Sequence, residues 1–230
     1  MTRIKKKELG IGVFLLMTFM VVMVMIFMPI VDGGNALNYL DNLYNSISKG
    51  SAYYIPKVEH LVEEHGSEVV TLNLKLDDSR AAQATEPLFV RAGATTAVEG
   101  ATLMVNGEIE TILGTCLEDA ESAYNNRGED LVARYGTDAR TTLYFWWQAL
   151  GAMEKDLNRQ KLFATAKLTH TVQAKTVECA YNYYGIKAQA IKDRWGTVLF
   201  SLVFYVLYTI WYGYGIMFVF EGFGFELAAH

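Results

Sequence analysis

The chain has 230 residues, 52% hydrophobic and 20% charged, with a formal net charge of −5 and a mean hydropathy of +0.15. This composition excludes a disordered chain, a collagen-like chain and a small disulfide scaffold, and it argues against a simple soluble enzyme. All 20 Lys and Arg precede Gly196, and two long stretches carry no charge.

The uncharged stretches are residues 9–31 and 197–220. About 20 apolar residues suffice for a helix to cross a hydrocarbon core of roughly 30 Å, so each predicts a transmembrane helix. The first exceeds the roughly 7–15-residue apolar core of a signal peptide, and residues 29–34 offer no convincing cleavage site; it reads as a retained signal anchor. Arg3, Lys5, Lys6 and Lys7 precede it, and within about 20 residues only Lys49 follows, which places the N-terminus in the cytoplasm. Lys187, Lys192 and Arg194 before the second span favour the opposite orientation, and the first helix is given precedence. The expectation is a two-pass protein of the cell (inner) membrane. Tails 1–8 and 221–230 are then cytoplasmic and residues 32–196 extracytoplasmic. That middle region holds 16 basic and 22 acidic residues, without the basic face that nucleic-acid binding requires.

Asn35 is an N-cap for a helix carrying Leu37, Leu40, Leu43, Tyr44 and Ile47 and stopped at Gly50. Ser51 can cap the next, with Pro56 in its first turns and Gly66 at its end. Val70, Leu72, Leu74 and Leu76 alternate with polar residues, the pattern of a half-buried strand. Asp78 or Ser79 caps a helix to about Ala92, bent or restarted at Pro87. Residues 96–98 and 103–105 read as strands of a hairpin turning at Glu99 and Gly100, before a helix over 108–124. This β-α-β-β-α module, about 67–126, is half of a split ferredoxin-like unit. Leu117, Ala120, Tyr124, Leu131 and Tyr135 form an apolar stripe that loosens at 125–128, and the chain turns at Gly136 with Thr137 or Asp138 as cap. Leu143, Trp146, Leu150, Met153 and Leu157 then step at coiled-coil spacing, which predicts an antiparallel helical hairpin over about 108–160. After a stutter near Gln160, Ala164, Leu168 and Val172 resume a helix that continues into the second span. The expected fold class is an α+β membrane protein: two transmembrane helices bracket a mostly helical domain containing this module and hairpin.

Candidate chemistry is sparse. His60 and His65 flank Glu63 and Glu64, but two His five apart are about 140° apart around a helix and cannot share a zinc ion as H-E-x-x-H does. Cys116 and Cys179 can meet in a disulfide only if the chain breaks sharply near Gln160. Met17, Met20, Met23, Met25 and Met28 scatter around the first span and read as adaptable packing rather than a copper site. Neither span contains His, Asp, Glu, Lys or Arg, which argues against transport and against a b-type haem, and no C-x-x-C-H supports covalent c-type haem. No catalytic, cofactor or metal residue is assigned. Adjacent Trp146 and Trp147 lie about 100° apart on a helix, so one must leave the apolar stripe. Tyr205 and Tyr208 fall deep in the second span, where hydroxyls need partners. These four are the expected partner contacts.

The layout is similar to that of taxis-receptor sensors in topology alone. With about eight residues before the first span and ten after the second, the expectation is a chain that works through a neighbour. It reads first as a non-enzymatic accessory or scaffold subunit of a larger membrane complex, whose partners are the lipid bilayer and other membrane subunits. An extracytoplasmic sensing module signalling laterally is the second reading, and a membrane-tethered hydrolase a third.

Overall fold

The computed structural model describes residues 4–30 and 33–225. The chain is mostly helical with one three-stranded antiparallel sheet. It divides into two compact units, one made of Met1–Gly50 and Ala188–His230, the other of Ser51–Lys187.

The first unit contains α1 (Lys6–Phe27), α2 (Ala36–Ser51) and α10 (Ile191–Gly222). Helices α1 and α10 are long and apolar enough to cross a membrane, yet only 11% and 6% of their most apolar windows are buried. A core helix of a soluble protein shows the reverse. The two run antiparallel, and the Lys5 amide donates to the Gly222 carbonyl at 2.9 Å. Small residues allow the approach: a Cβ on Gly12 would lie 2.6 Å from the Val219 nitrogen, and one on Gly222 2.6 Å from the Leu9 Cα. Ser201, Tyr208, Gly215 and Gly222 recur every seven residues along α10, the repeat of a left-handed helix pair. Phe19 is buried against Tyr208 and Tyr212, with ring centroids at 4.6 and 5.1 Å. Asn35 caps α2 by accepting from the Asn38 amide at 2.8 Å, and Tyr44 Oη meets Ser201 Oγ at 2.6 Å.

The second unit begins with α3 (Ile55–His65), entered at Pro56 and closed by Gly66 at φ +77°. Strand β1 (Val69–Lys75) leads to α4 (Ser79–Arg91), capped by Asp78 through the Ala81 amide at 2.8 Å. This helix runs through Pro87 without restarting. Strands β2 (Thr95–Glu99) and β3 (Thr102–Glu108) and helix α5 (Ile109–Tyr124) complete the β-α-β-β-α order. The sheet order is β1-β3-β2 with β3 antiparallel to both neighbours. Strands β1 and β2 are therefore parallel, joined by α4, and split by β3. One face buries Val70, Leu72, Leu74, Leu103 and Val105, while Thr71, Asn73 and Lys75 face outward.

Four more helical segments finish the unit: α6 (Gly128–Tyr135), α7 (Ala139–Arg159), α8 (Phe163–Val172) and α9 (Glu178–Tyr183), with a π-helical turn at Gln173–Val177 between the last two. Asp138 caps α7, and Gly136 ends α6 at φ +69°. Helix α7 pairs most extensively with α8 rather than with the segment before it. The expected first arm of the hairpin is cut at 125–127. Asn126 takes φ +60°, and Arg127 N donates to Ser122 O at 2.8 Å while Asn126 N donates to Ala123 O at 2.9 Å, the Schellman closure of a helix end. Lys161 at φ +66° closes α7 the same way, with Leu162 N donating to Leu157 O at 3.0 Å. The helix expected to continue into α10 is also interrupted. Gly185 takes φ +85°, and Asn126 accepts from its amide at 2.7 Å and donates to Ile186 O at 2.9 Å. The β1 border is covered by α7: Asn73 N donates to Asp156 Oδ2 at 3.0 Å, and Gln160 Nε2 to Thr71 O at 2.8 Å.

Candidate interaction surface

The two adjacent tryptophans of α7 take opposite roles, and a buried carboxylate explains why. Asp119 on α5 has no solvent exposure. It accepts hydrogen bonds from Arg134 Nη1 at 2.7 Å, Tyr135 Oη at 2.6 Å and Trp146 Nε1 at 2.9 Å. A buried carboxylate is tolerable when its lone pairs are filled and a cation lies beside it. Burial, then the bond to Asp119, pushes the Tyr135 phenol far above its ordinary range, so it stays a donor. Trp146 is thereby fixed inside, packed on Phe89 at 5.5 Å between ring centroids.

Trp147, turned about 100° away, is 40% exposed. Its Nε1 donates to Glu178 Oε1 at 2.8 Å, and Tyr144 stacks on it at 6.2 Å with 17° between planes. The Arg140 guanidinium lies over the Tyr181 ring at 5.6 Å. A hollow of about 370 Å³ is lined by Leu143, Tyr144, Trp147, Val177, Glu178 and Tyr181. A second of about 220 Å³, bordered by Lys75, Asp77, Gln148, Lys155 and Gln173, shares Tyr144 and Trp147 as its wall. A third of about 320 Å³ lies by Asp78 and Arg80, again against Tyr144. The Tyr144–Trp147 pair is thus an aromatic ridge between concavities whose rims carry both signs of charge.

The ridge is held from behind. Gln173 Nε2 donates to the Trp147 carbonyl at 2.8 Å, and Gly151 gives it room, since a Cβ there would lie 3.1 Å from that nitrogen. Gln173 opens the π-helical turn, an insertion that recurs at functional sites. It re-aims the following residues so that Val177 and Glu178 face the hollow. Gln148 Nε2 donates to Asp77 Oδ2 at 2.7 Å and to Tyr144 Oη at 3.2 Å. Its Oε1 is buried without a hydrogen-bond partner.

Of the four residues expected to touch a partner, Trp147 lies on this surface and Trp146 supports it from within. Tyr205 and Tyr208 belong to the other unit, where Tyr205 is 66% exposed and Tyr208 stacks on Phe19 and Phe204. The carboxylate hub, the π-helical turn and Gln148 were not singled out from sequence. Asp119 lies about 100° around the helix from Ala120, off the apolar stripe, so periodicity gave no sign that it is buried.

The remaining candidates are dispersed. His60 pairs with Glu63 and Glu64 at 3.7 and 3.3 Å on the exposed side of α3, whereas His65 Nε2 meets Thr165 Oγ1 at 3.2 Å. Cys116 and Cys179 are not bridged to each other. Burial pushes the Cys116 thiol well above its usual range, and Cys179 Sγ donates to Ala52 O at 3.0 Å. Met17, Met20, Met25 and Met28 are exposed around α1. Among the described residues, no group of three or more His, Cys, Asp or Glu is placed to hold a metal ion. No family model, curated protein or solved structure matches the chain.

Proposed function

We propose that the chain is a two-pass membrane protein serving as a non-enzymatic accessory subunit of a larger membrane complex, with Ser51–Lys187 as its interaction domain outside the cytoplasm. Support for the membrane placement comes from the outward apolar surface of α1 and α10, joined through glycines as helices in lipid are. The observation that carries the subunit reading is the exposed Tyr144–Trp147 ridge, prepositioned by Glu178 and Gln173 and flanked by hollows. Trp and Tyr lose little entropy on contact and dominate binding energy at interfaces.

The test is affinity purification of the full chain from native membranes in mild detergent, followed by mass spectrometry. A partner is expected in stoichiometric amount. Trp147→Ala should weaken its recovery by an amount typical of a hot-spot truncation, about 2 kcal/mol or roughly 30-fold. Phe163→Ala, at an exposed aromatic outside the hollows, should leave recovery unchanged. Consistent recovery of the chain alone, or undiminished recovery with Trp147→Ala, overturns the reading.

The concavities on either side of the ridge favour a second reading, a sensing module that binds a small ligand beside it. A bound ligand would then raise the thermal stability of the full chain, and Trp147→Ala would abolish that rise.

A further inference from the structure

A separate cavity of about 430 Å³ lies within the first unit, among Met23 and Phe27 of α1, Leu37 and Leu40 of α2, and Phe204 and Tyr208 of α10. We infer that it is a binding site for one acyl chain of a phospholipid, clamped by α2 against the two long helices; this rests on their spanning a membrane. Its wall includes no charged side chain. The buried hydroxyl in it, Ser201 Oγ, donates to Val198 O at 2.8 Å and accepts from Tyr44 Oη at 2.6 Å, so its donor and one of its two acceptor positions are already taken within the protein. Apolar cavities of this kind stay dry and take apolar occupants.

Size and position select the occupant. On α10 the lining runs from Thr197 to Tyr208, about 17 Å of helix at ~1.5 Å per residue, close to the roughly 15 Å of one leaflet in a 30 Å core. The mouth is continuous with the outward apolar surface, where Phe27 is 56%, Leu37 45% and Phe200 68% exposed, so hydrocarbon supplies it. Just before Thr197, exposed Lys192 and Arg194 outnumber Asp193, as suits a headgroup phosphate.

The test uses the full chain in phosphatidylcholine vesicles carrying a photoactivatable diazirine on the acyl chain. Flotation with the vesicles and mass-spectrometric mapping of labelled residues are read together. Labelling should concentrate on Leu40 and Phe204 over lipid-facing Val21 and Leu207, and be lost in Ala36→Phe and in Leu40→Trp (read at Phe204), both of which still float. A chain that does not float overturns the membrane reading itself. A chain that floats but labels evenly, or keeps cavity labelling in both filled variants, overturns the lipid site alone. So does a protein segment cross-linked in the cavity.

Discussion

The two units of the molecule use the same apolar residue types in opposite ways. In Ser51–Lys187, Leu72, Leu74, Leu103, Ile112 and Trp146 have no more than trace exposure, whereas α1 and α10 turn Phe14, Val21, Phe200 and Leu207 outward at 60–68%. In water, burial of such side chains drives folding. Between helices in hydrocarbon that drive is missing, and association falls to close backbone packing at small residues. The first unit puts glycines at its helix contact, and the second puts leucines, a tryptophan and a filled carboxylate at its centre. Polarity is inverted with it: Asp119 is deep inside one unit, and no charge lies between residues 195 and 220 of the other.

Each unit therefore has its own breaking point. The largest effect is expected at Asp119. Asp119→Ala strands the Arg134 charge and the Tyr135 and Trp146 donors, and should cost the second unit about 3–5 kcal/mol, the range for breaking a buried pair. Urea unfolding of the full chain in detergent measures it, while spin labels at Lys7 and Phe220 should keep their short-range coupling, because the contact between α1 and α10 contains none of these residues. Gly222→Leu should do the converse. Its Cβ meets the Leu9 backbone, overpacking of a kind that costs about 1–3 kcal/mol; the spin coupling should fall and the urea midpoint of the second unit should not move. Equal sensitivity of both readouts to either variant would erase the distinction between the units.

The smallest effect sharpens the comparison in the second unit. Asp138→Ala should cost about 1 kcal/mol, as the loss of an N-cap does. Hydrogen bonds from the Thr141 side chain and backbone hold the Asp138 carboxyl below its ordinary 3.8. A carboxyl lowered in the folded state contributes its stability above the unfolded value, and loses it as pH falls through the lower folded one. The gap between wild type and Asp138→Ala should be full above about pH 4 and close below it. A gap unchanged in acid would show that the cap's charge is irrelevant.

Much of the second unit was legible because its signals are local. Asp78 and Asp138 cap their helices, Gly66 and Gly136 end them, and the alternation of Val70, Leu72 and Leu74 declares β1. The loosening at 125–128 and the stutter near Gln160 were visible, but not that Asn126 and Lys161 end helices there in left-handed conformations that glycine usually supplies. The break before α10 was missed because the Gly185 turn is bound by Asn126 from 59 residues away. Asp119 lies off the apolar stripe of α5 and reads as a solvated acid until its three donors arrive from α6 and α7. In α10 the seven-residue repeat of Ser201, Tyr208, Gly215 and Gly222 was present in the letters, but a helix apolar on every side hides its contact face. On the candidate surface, the divergence of Trp146 and Trp147 follows from helical geometry, and the spacing of Leu143, Trp146 and Leu150 already turns Trp146 inward; the Asp119 carboxylate that receives its Nε1 was not legible.

The side chains laid along β1 have a consequence for assembly. Asp156 and Gln160 occupy backbone groups that a further strand would need, so the sheet is terminated on that side, and β2 forms its only other border. Two copies joined through β2 would make a six-stranded sheet ended by β1 at both limits. Pairing of two copies through β2 would therefore leave no growing end, which separates such pairing from fibre formation.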